Sequence, residues 1–285
     1  ARAMYYLKMF PCQVRSAIEK NLPVVLPIGV IEYHAEHLTL GVDTHVVEQL
    51  LLRLEQKHPD ALVVLPTFTY GTASYAVAAP EQRGTLSVDS QKVCAVAEDI
   101  FRGLLRVGFR NIHAFIAHQT EEFEQGMPTD LAFRFAGRRA IFEFLEKTSG
   151  EGWWGNEDFS QYYSGGNNPF AWIRVHPVRT SEAVQQRFEG DHAGKLETSE
   201  MMALCPENVD MARHSDACWF ARPALEASKE YGEEAAAATH PFHDAGDQTF
   251  NIRYGLLHRQ CYRLILLVDS GEYLMHRFLF QVVVI

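Results

Sequence analysis

Residues able to hold a divalent metal ion cluster in the segment GVIEYHAEHLTLGVDT, residues 29–44. Glu32, His34 and Asp43 offer carboxylate oxygens and an imidazole nitrogen, ligands that suit Zn²⁺ or Mn²⁺. Glu32 and His34 are two residues apart, so on an extended chain both side chains point to the same side. Asp43 precedes a predicted helix, which it could cap while presenting an oxygen outward. One carboxylate can also bridge two metal ions that lie about 3.5–4 Å apart.

Further candidate ligands come from two later segments. His118 follows the apolar run 112–117, and DHAGKLETSE, residues 191–200, contributes His192 and Glu197. Because open α/β sheets place their chemistry at the carboxyl ends of the strands, we expect His118 to lie near Asp43. A single histidine or carboxylate is usually a surface or capping residue, but several at predicted strand ends favour a metal site.

The elements that must position these residues alternate between strand and helix. The strands predicted at 22–30, 61–65 and 112–117 are almost wholly apolar, which is typical of parallel strands covered on both faces. Helices are predicted at 44–58, 89–107 and 128–147, the first two with a clear apolar stripe. This alternation predicts an α/β three-layer sandwich around a mostly parallel central sheet.

Composition narrows the classes of partner and compartment. The 285 residues are 47% hydrophobic and 22% charged, with a net charge of −10, which argues against nucleic acid or an anionic membrane surface as a partner. We therefore expect a small-molecule partner. The five cysteines form no CxxC pair, and the first residues lack the apolar core of a signal peptide. These features predict a cytoplasmic protein.

Two regions depart from the alternating pattern. Residues 149–168 are rich in glycine, asparagine and aromatic residues, and we expect Trp153 and Trp154 to pack on a neighbouring subunit or over a cleft. Residues 239–285 show no clear periodicity and end in FLFQVVVI. We therefore predict one domain over residues 1–238 and a C-terminal tail over 239–285, to which no role is assigned.

The segment GVIEYHAEHLTLGVDT resembles the signature of the creatininase family of metal-dependent amidohydrolases, roughly G-S-x-E-Q-H-G-x-H-L-P-L-x-T-D-T. DHAGKLETSEMMAL resembles the family's H-A-G-x-x-E-T-S segment, and TYGTAS and GTLS also resemble family segments in the expected order. The similarity spans about residues 5–235. It implies a creatininase-like fold and a homo-oligomer, often a hexamer in this family.

The resemblance further implies two divalent metal ions per chain, Zn and/or Mn. Asp43 would bridge the ions, Glu32 and His118 would hold one, and His34 would help to hold the other. The remaining carboxylate is either Glu197, whose match needs no shift in alignment, or a residue after His118. There the chain reads IAHQTEE instead of the usual N-G-H-G-G-N, so the alternative ligand is Glu122, with Glu121 beside it.

Roles for the remaining residues also follow from the resemblance. His192 and Glu197 would act in catalysis, with His192 near the bond that is cleaved. His37 would support the ligands from behind. Ser74, Gln119 and Phe188 would contact the substrate, with Phe188 at the position where creatininase has a tryptophan.

The implied reaction is the attack of metal-bound hydroxide on the carbonyl of a small cyclic amide. The missing glycines after His118 leave two alternatives open. One is a ring-opening hydrolase that cleaves a C–C bond of a cyclic ketone in sugar or inositol breakdown. The other is a catalytically silent, metal-stabilised assembly protein.

Overall fold

The computed structural model describes residues 4–77, 79–120, 123–161, 168–179, 182–215 and 218–239. Within these residues, four parallel strands form one sheet in the order β2-β1-β3-β4. The strands are β1 (Val24–Ile28), β2 (Val63–Val64), β3 (Ile112–Ile116) and β4 (Ile173–Pro177).

Seven α-helices in the described part of the chain connect and cover these strands. They are α1 (Pro11–Glu19), α2 (Val42–Lys57), α3 (Ser90–Val107), α4 (Pro128–Ser149), α5 (Glu182–Arg187), α6 (Lys195–Leu204) and α7 (Lys229–Ala238). Short 3-10 turns lie at Tyr6–Lys8, Trp153–Gly155, Glu157–Phe159, Pro169–Ala171, Pro206–Asn208, Met211–Arg213 and Trp219–Glu226.

The helices pack on both faces of the sheet. On one face, α3 and α4 bury Phe101 and Phe133 against the strand residue Ile28. On the other face, α2 and α6 bury Leu51 and Met201 in a second cluster, which also contains strand residues. The three layers and the all-parallel sheet confirm the predicted fold class.

The two central strands determine where the chemistry lies. Every residue of β1 and β3 is buried, and the strands pair in register from Val24 opposite Ile112 to Ile28 opposite Ile116. Because they run parallel, the chain leaves both strands at the same edge of the sheet. Glu32 and His34 follow β1, and His118 follows β3, so the topology brings them together.

The predicted elements that fall in the described residues are present, with ends shifted by a few residues. Sequence reasoning missed α1, α5 and the edge strand β4. In β4 the polar residues Arg174 and His176 interrupt the apolar pattern, because this strand is only partly covered. No helix in the described ranges is both long enough and apolar enough to cross a membrane.

The structure changes the interpretation of the tryptophan pair. Trp153 is buried, with 5% of its surface exposed, and packs against Phe142, Phe159 and Phe170 of its own chain. Trp154 is 44% exposed and packs against Trp153 and Phe170. Neither residue lines the cavity described below, so the alternative of a lid over that cleft is not supported for these side chains. Apart from Thr239, the predicted tail lies outside the described residues.

Candidate metal centre

A close approach between β1 and α2 brings Asp43 to the edge of the sheet. A Cβ atom on Gly29 would lie 2.6 Å from the Cα of Thr44, so only glycine permits this contact. The expectation that Asp43 caps the helix is wrong, because α2 begins at Val42, its N-cap residue is Gly41, and no side chain caps it. Asp43 lies inside the first turn, and its carboxylate faces two histidines instead.

The carboxylate of Asp43 lies between two groups of candidate ligands. Its Oδ1 is 3.4 Å from His34 Nε2, and its Oδ2 is 3.1 Å from His118 Nδ1. Glu32 Oε2 completes the first group at 3.3 Å from His118 Nδ1. Glu197 Oε2 completes the second group at 3.5 Å from His34 Nε2. In each group the ligand atoms lie within 4.8 Å of one another, close enough for a single ion.

His192 lies beside these groups and forms a third one with Glu32 and His34. Its ring stacks on that of His34, with ring centres 4.4 Å apart. Its Nε2–H donates a hydrogen bond of 2.9 Å to the carbonyl oxygen of Tyr33. A carbonyl can only accept, so in the neutral imidazole the lone pair is on Nδ1.

The hydrogen bonds of His34 show that the residues fit a divalent metal. His34 Nδ1–H donates to the carbonyl of Glu32 at 3.0 Å, so in the neutral imidazole the lone pair is on Nε2, directed towards Asp43 and Glu197. This buried Nε2 has no hydrogen-bond partner. A lone pair that faces two carboxylates is unfavourable unless a cation lies between them. The set of carboxylate and imidazole donors is one that Zn²⁺ and Mn²⁺ accept.

The shifted pKa values of the site residues indicate that the carboxylates favour a positive charge among them. Burial alone would lower the pKa of His34, but the carboxylates of Glu197 and Asp43 raise it to about 10. Burial would likewise lower the pKa of His118, yet Asp43 and Glu32 raise it to about 10. The two histidines hold the pKa of Asp43 below its usual range against the effect of burial. Burial raises the pKa of Glu197, and the nearby carboxylates of Asp43 and Asp191 raise it further, which indicates crowded negative charge.

Three residues beside the site histidines adopt left-handed backbone conformations that non-glycine residues rarely take. Ala35 has φ 59°, Gln119 has φ 52° and Ala193 has φ 53°, and each directly follows His34, His118 or His192. Strained conformations of this kind persist where the surrounding structure enforces them, often at functional sites. Nothing in the residue types signalled this feature, so sequence reasoning missed it.

Neighbouring polar groups hold Glu197 in place. Its Oε2 accepts a hydrogen bond of 2.7 Å from the backbone N–H of Ala193. His37 Nε2 forms a hydrogen bond of 2.9 Å with the hydroxyl of Thr198, next to Glu197 on α6. His37 does not line the cavity. This placement agrees with the supporting role that the resemblance implies for His37.

A cavity of about 260 Å³ opens over the two groups. Its wall includes seven of the predicted site residues, namely Glu32, Asp43, Ser74, His118, Gln119, His192 and Glu197. It also includes Arg179 and Asp191, which sequence reasoning missed. Sequence patterns offered little indication of Arg179, because this residue follows the edge strand β4, which was itself not predicted.

Two sets of predicted residues are not part of the described cavity wall. Phe188 has 1% of its surface exposed and packs on Tyr231 in a separate apolar cluster, so it is absent from the described cavity wall. Its aromatic ring was expected to cover the substrate, but α7 covers the ring instead. Glu121 and Glu122, the alternative ligands, lie outside the described residues.

Comparison with known proteins identifies the family. The family model described as "Creatinine amidohydrolase" matches residues 8–246. The chain belongs to the creatininase family. It is 26% identical to the creatinine amidohydrolase of Pseudomonas putida over 198 residues, which is 68% of each chain. The predicted family membership and the assignment as a hydrolase are thereby confirmed.

Solved structures show the same fold. A crystal structure of creatinine amidohydrolase superposes with a TM-score of 0.63 at 23% identity, covering 88% of this chain and 99% of that one. A creatininase variant in complex with creatine has a TM-score of 0.60 at 21% identity, covering 84% of this chain and 94% of that one. Two further neighbours are a manganese creatininase and a Zn–Zn form of a variant. This member of the family therefore has a candidate metal centre where its own buried histidines and carboxylates meet.

Proposed function

We propose that this protein is a dinuclear-metal hydrolase that opens a small cyclic amide. One divalent ion, Zn or Mn, would be held by Glu32, Asp43 and His118, and the other by His34, Asp43 and Glu197. The observation that carries this proposal is the position of Asp43, whose two oxygens face two different histidines. The manganese and zinc forms among the structural neighbours support the choice of metals.

Glu197 is the preferred final ligand. Its Oε2 is 3.5 Å from His34 Nε2 and is oriented by the backbone N–H of Ala193. The position two residues after His118 holds Thr120, which offers no carboxylate. A carboxylate from α6 thus compensates for the departure of IAHQTEE from the usual family motif.

The chain's own residues would handle the proton and the substrate. Bound divalent ions would supply Lewis acidity, which lowers the pKa of a water molecule and polarises a carbonyl. His192 lies on the cavity wall with its Nε2–H fixed by Tyr33, so Nδ1 is the atom able to accept a proton and then deliver it to the leaving group. Ser74 and Gln119 offer polar groups to the substrate from the same wall.

The first test is metal content together with turnover. Purified protein is stripped with a chelator, reloaded with Zn²⁺ or Mn²⁺, and analysed for ions per chain and for hydrolysis of creatinine and other cyclic amides. We expect two ions per chain and hydrolysis of at least one cyclic amide. Hydrolysis of oxidised inositols combined with inertness towards every amide would instead favour C–C cleavage at the same site. Fewer than one ion per chain and no hydrolysis would favour the silent assembly protein.

We also propose that the protein is a homo-oligomer in the cytoplasm. Helix α4 exposes Leu131, Phe135 and Phe142, each by at least 42%, and Trp154 lies exposed nearby in sequence. Exposed apolar side chains of this kind favour contact between subunits. The described cysteines, namely Cys12, Cys94, Cys205 and Cys218, are all free, which suits a reducing compartment. Light scattering coupled to size-exclusion chromatography measures the oligomeric state, and a monomer at micromolar concentration would contradict the proposal.

A further inference from the structure

The cavity wall carries one side-chain amide among the described residues. Gln119 directly follows His118, one of the candidate ligands, and is half-buried on that wall. The other described wall residues are carboxylates, histidines, one arginine, one serine, and small or aliphatic residues. A carboxamide is neutral and offers a hydrogen-bond donor and an acceptor side by side. On the described wall, this combination is found at Gln119.

The backbone of Gln119 adopts a conformation that favours glycine. Its φ is 52°, in the left-handed region, where Cβ crowds the following carbonyl oxygen. The usual family motif, N-G-H-G-G-N, has glycine at this position, and glycine takes such a conformation without steric cost. This chain instead carries a glutamine and the strain that comes with it. Because strain of this kind is often found at functional sites, the side chain calls for a functional explanation.

The carboxamide of Gln119 is not used by the fold. It forms no hydrogen bond with any residue that the structure describes. Among the three strained positions that follow site histidines, Gln119 is the one with a polar side chain, since the others are Ala35 and Ala193. The donor and the acceptor of Gln119 are therefore available to a molecule in the cavity.

The shape of a carboxamide determines which group pairs with it best. One of its N–H groups and its C=O lie in one plane and are nearly parallel, so the complement is a planar group with C=O and N–H on the same edge. An amide inside a small ring is held cis, which places its C=O and N–H on one edge. When the carbonyl of the reacting amide lies at the metal centre, a second amide in the same ring is left to pair with Gln119.

From this arrangement we infer the class of substrate: a small cyclic ureide, a ring with two amide groups, of which one lies at the metal centre and the other pairs with the carboxamide of Gln119. The inference rests on the proposed function. Ala76, Val77 and Ala117 on the wall leave room for a flat ring, and a cavity of about 260 Å³ holds a single small ring. Two hydrogen bonds in a fixed orientation make Gln119 a determinant of specificity.

The reaction of such a ring is a simple hydrolysis. Water adds across the C–N bond of the amide at the metal centre. Its oxygen joins the acyl carbon, the bond from that carbon to nitrogen breaks, and a proton goes to the nitrogen. The product contains a carboxylic acid and an open-chain urea in one molecule. The amide that pairs with Gln119 stays intact.

The test compares two five-membered rings that differ at one position. Hydantoin is a cyclic ureide, and succinimide is the same ring with CH2 in place of the N–H that Gln119 would bind. Binding of each to the zinc-loaded protein is measured by titration calorimetry, and ring opening of each is measured separately. We expect hydantoin to bind about ten-fold more tightly, which corresponds to about 1.4 kcal/mol, because succinimide leaves the carbonyl oxygen of Gln119 without a donor.

Variants identify the source of this preference. Gln119→Met removes the donor and the acceptor but keeps the length of the side chain. Gln119→Gly removes the side chain and suits a φ of 52°, so this second variant should fold even if the first does not. We expect both variants to keep the metal ions and to bind the two rings equally. Gln82→Gly is the matched control and should keep the preference, because Gln82 also has a left-handed φ, 63°, but is exposed and absent from the described cavity wall.

The outcomes separate this inference from the proposed function. A preference for hydantoin that survives in both Gln119 variants would mean that another group recognises the ring N–H, and it would overturn the inference. Equal binding of the two rings by the parent protein, or binding of neither, would also overturn it. Loss of the preference in the Gln119 variants supports it, even if neither ring is opened and the proposed reaction fails. Hydrolysis of simple lactams without any preference for hydantoin would leave the proposed reaction standing and refute the inference alone.

Discussion

Replacing Asp43 by Asn should remove both metal ions, whereas replacing either neighbouring carboxylate should remove only one. Asp43 belongs to both ligand groups, while Glu32 with His118 belongs to one and Glu197 with His34 belongs to the other. We therefore expect about two ions per chain in the parent protein, about one in Glu32→Gln and in Glu197→Gln, and none in Asp43→Asn.

The size of the effect follows from the spacing of the site. The ligand atoms of each group lie within 4.8 Å of one another, so an ion held among them is nearer than that to Asp43. At about 4 Å and an effective dielectric constant of about 20, a unit charge pair is worth about 4 kcal/mol. Loss of the carboxylate charge should therefore weaken the binding of each divalent ion by at least about 10³-fold. Asn keeps the shape of the side chain and one oxygen, so this estimate isolates the charge.

The assay is elemental analysis after dialysis against a buffered, limiting concentration of Zn²⁺, with circular dichroism to confirm that each variant folds. Asp99→Asn is the control, because Asp99 lies on α3 with 78% of its side chain exposed and pairs with Arg102 outside the site. This control should keep two ions. Retention of two ions by Asp43→Asn would refute the bridging role, and retention of two by Glu197→Gln would point to a ligand outside the described residues.

Three further predictions test other parts of the structure. His192→Ala should keep the metal ions and slow turnover by about 10²–10⁴-fold, as the loss of a proton-transfer group does; turnover equal to that of the parent protein would exclude a catalytic role for His192. Gly29→Ala should cost about 1–3 kcal/mol of unfolding free energy and weaken metal binding, because the new Cβ would lie 2.6 Å from the backbone of Thr44. Gly103→Ala, whose Cβ meets nothing within 4 Å, is its control, and equal effects of the two variants in thermal and metal titrations would contradict the packing argument. The free energy of unfolding should fall as the pH drops from about 6.5 to about 4. Burial, together with the charge of Arg174, lowers the pKa of His176 from 6.5 to about 4. Between these pH values the unfolded chain binds a proton at His176 that the folded chain does not bind. His176 donates a hydrogen bond to His113, which in turn donates one to Asn111. The contribution of His176 to the loss of unfolding free energy amounts to at most about 3 kcal/mol. Urea titrations of the parent protein and of His176→Gln across this range check it, and equal slopes in the two proteins would count against the assignment.

Local sequence patterns were sufficient to predict the two central strands and α3. The apolar runs that became β1 and β3 are buried at every residue, and α3 begins and ends within one residue of its predicted bounds, because burial and helical periodicity leave a direct trace in residue types. The edge strand β4 left no such trace. Its residues Arg174 and His176 lie in partly covered positions, where polar side chains are tolerated.

Types and spacing of residues alone indicated a candidate metal site. Glu32, His34 and Asp43 cluster in one segment, His118, His192 and Glu197 come from two later segments, and the match to the family signature assigned their roles. Only the tertiary structure decided how these groups combine, because their meeting depends on the parallel pairing of β1 with β3 and on the approach of Gly29 to α2. It moved Asp43 from a helix cap to the centre of two ligand groups, placed Phe188 under α7 outside the cavity wall, and brought Arg179 to that wall. Distances between residues far apart in the chain are products of packing, and no local pattern contains them.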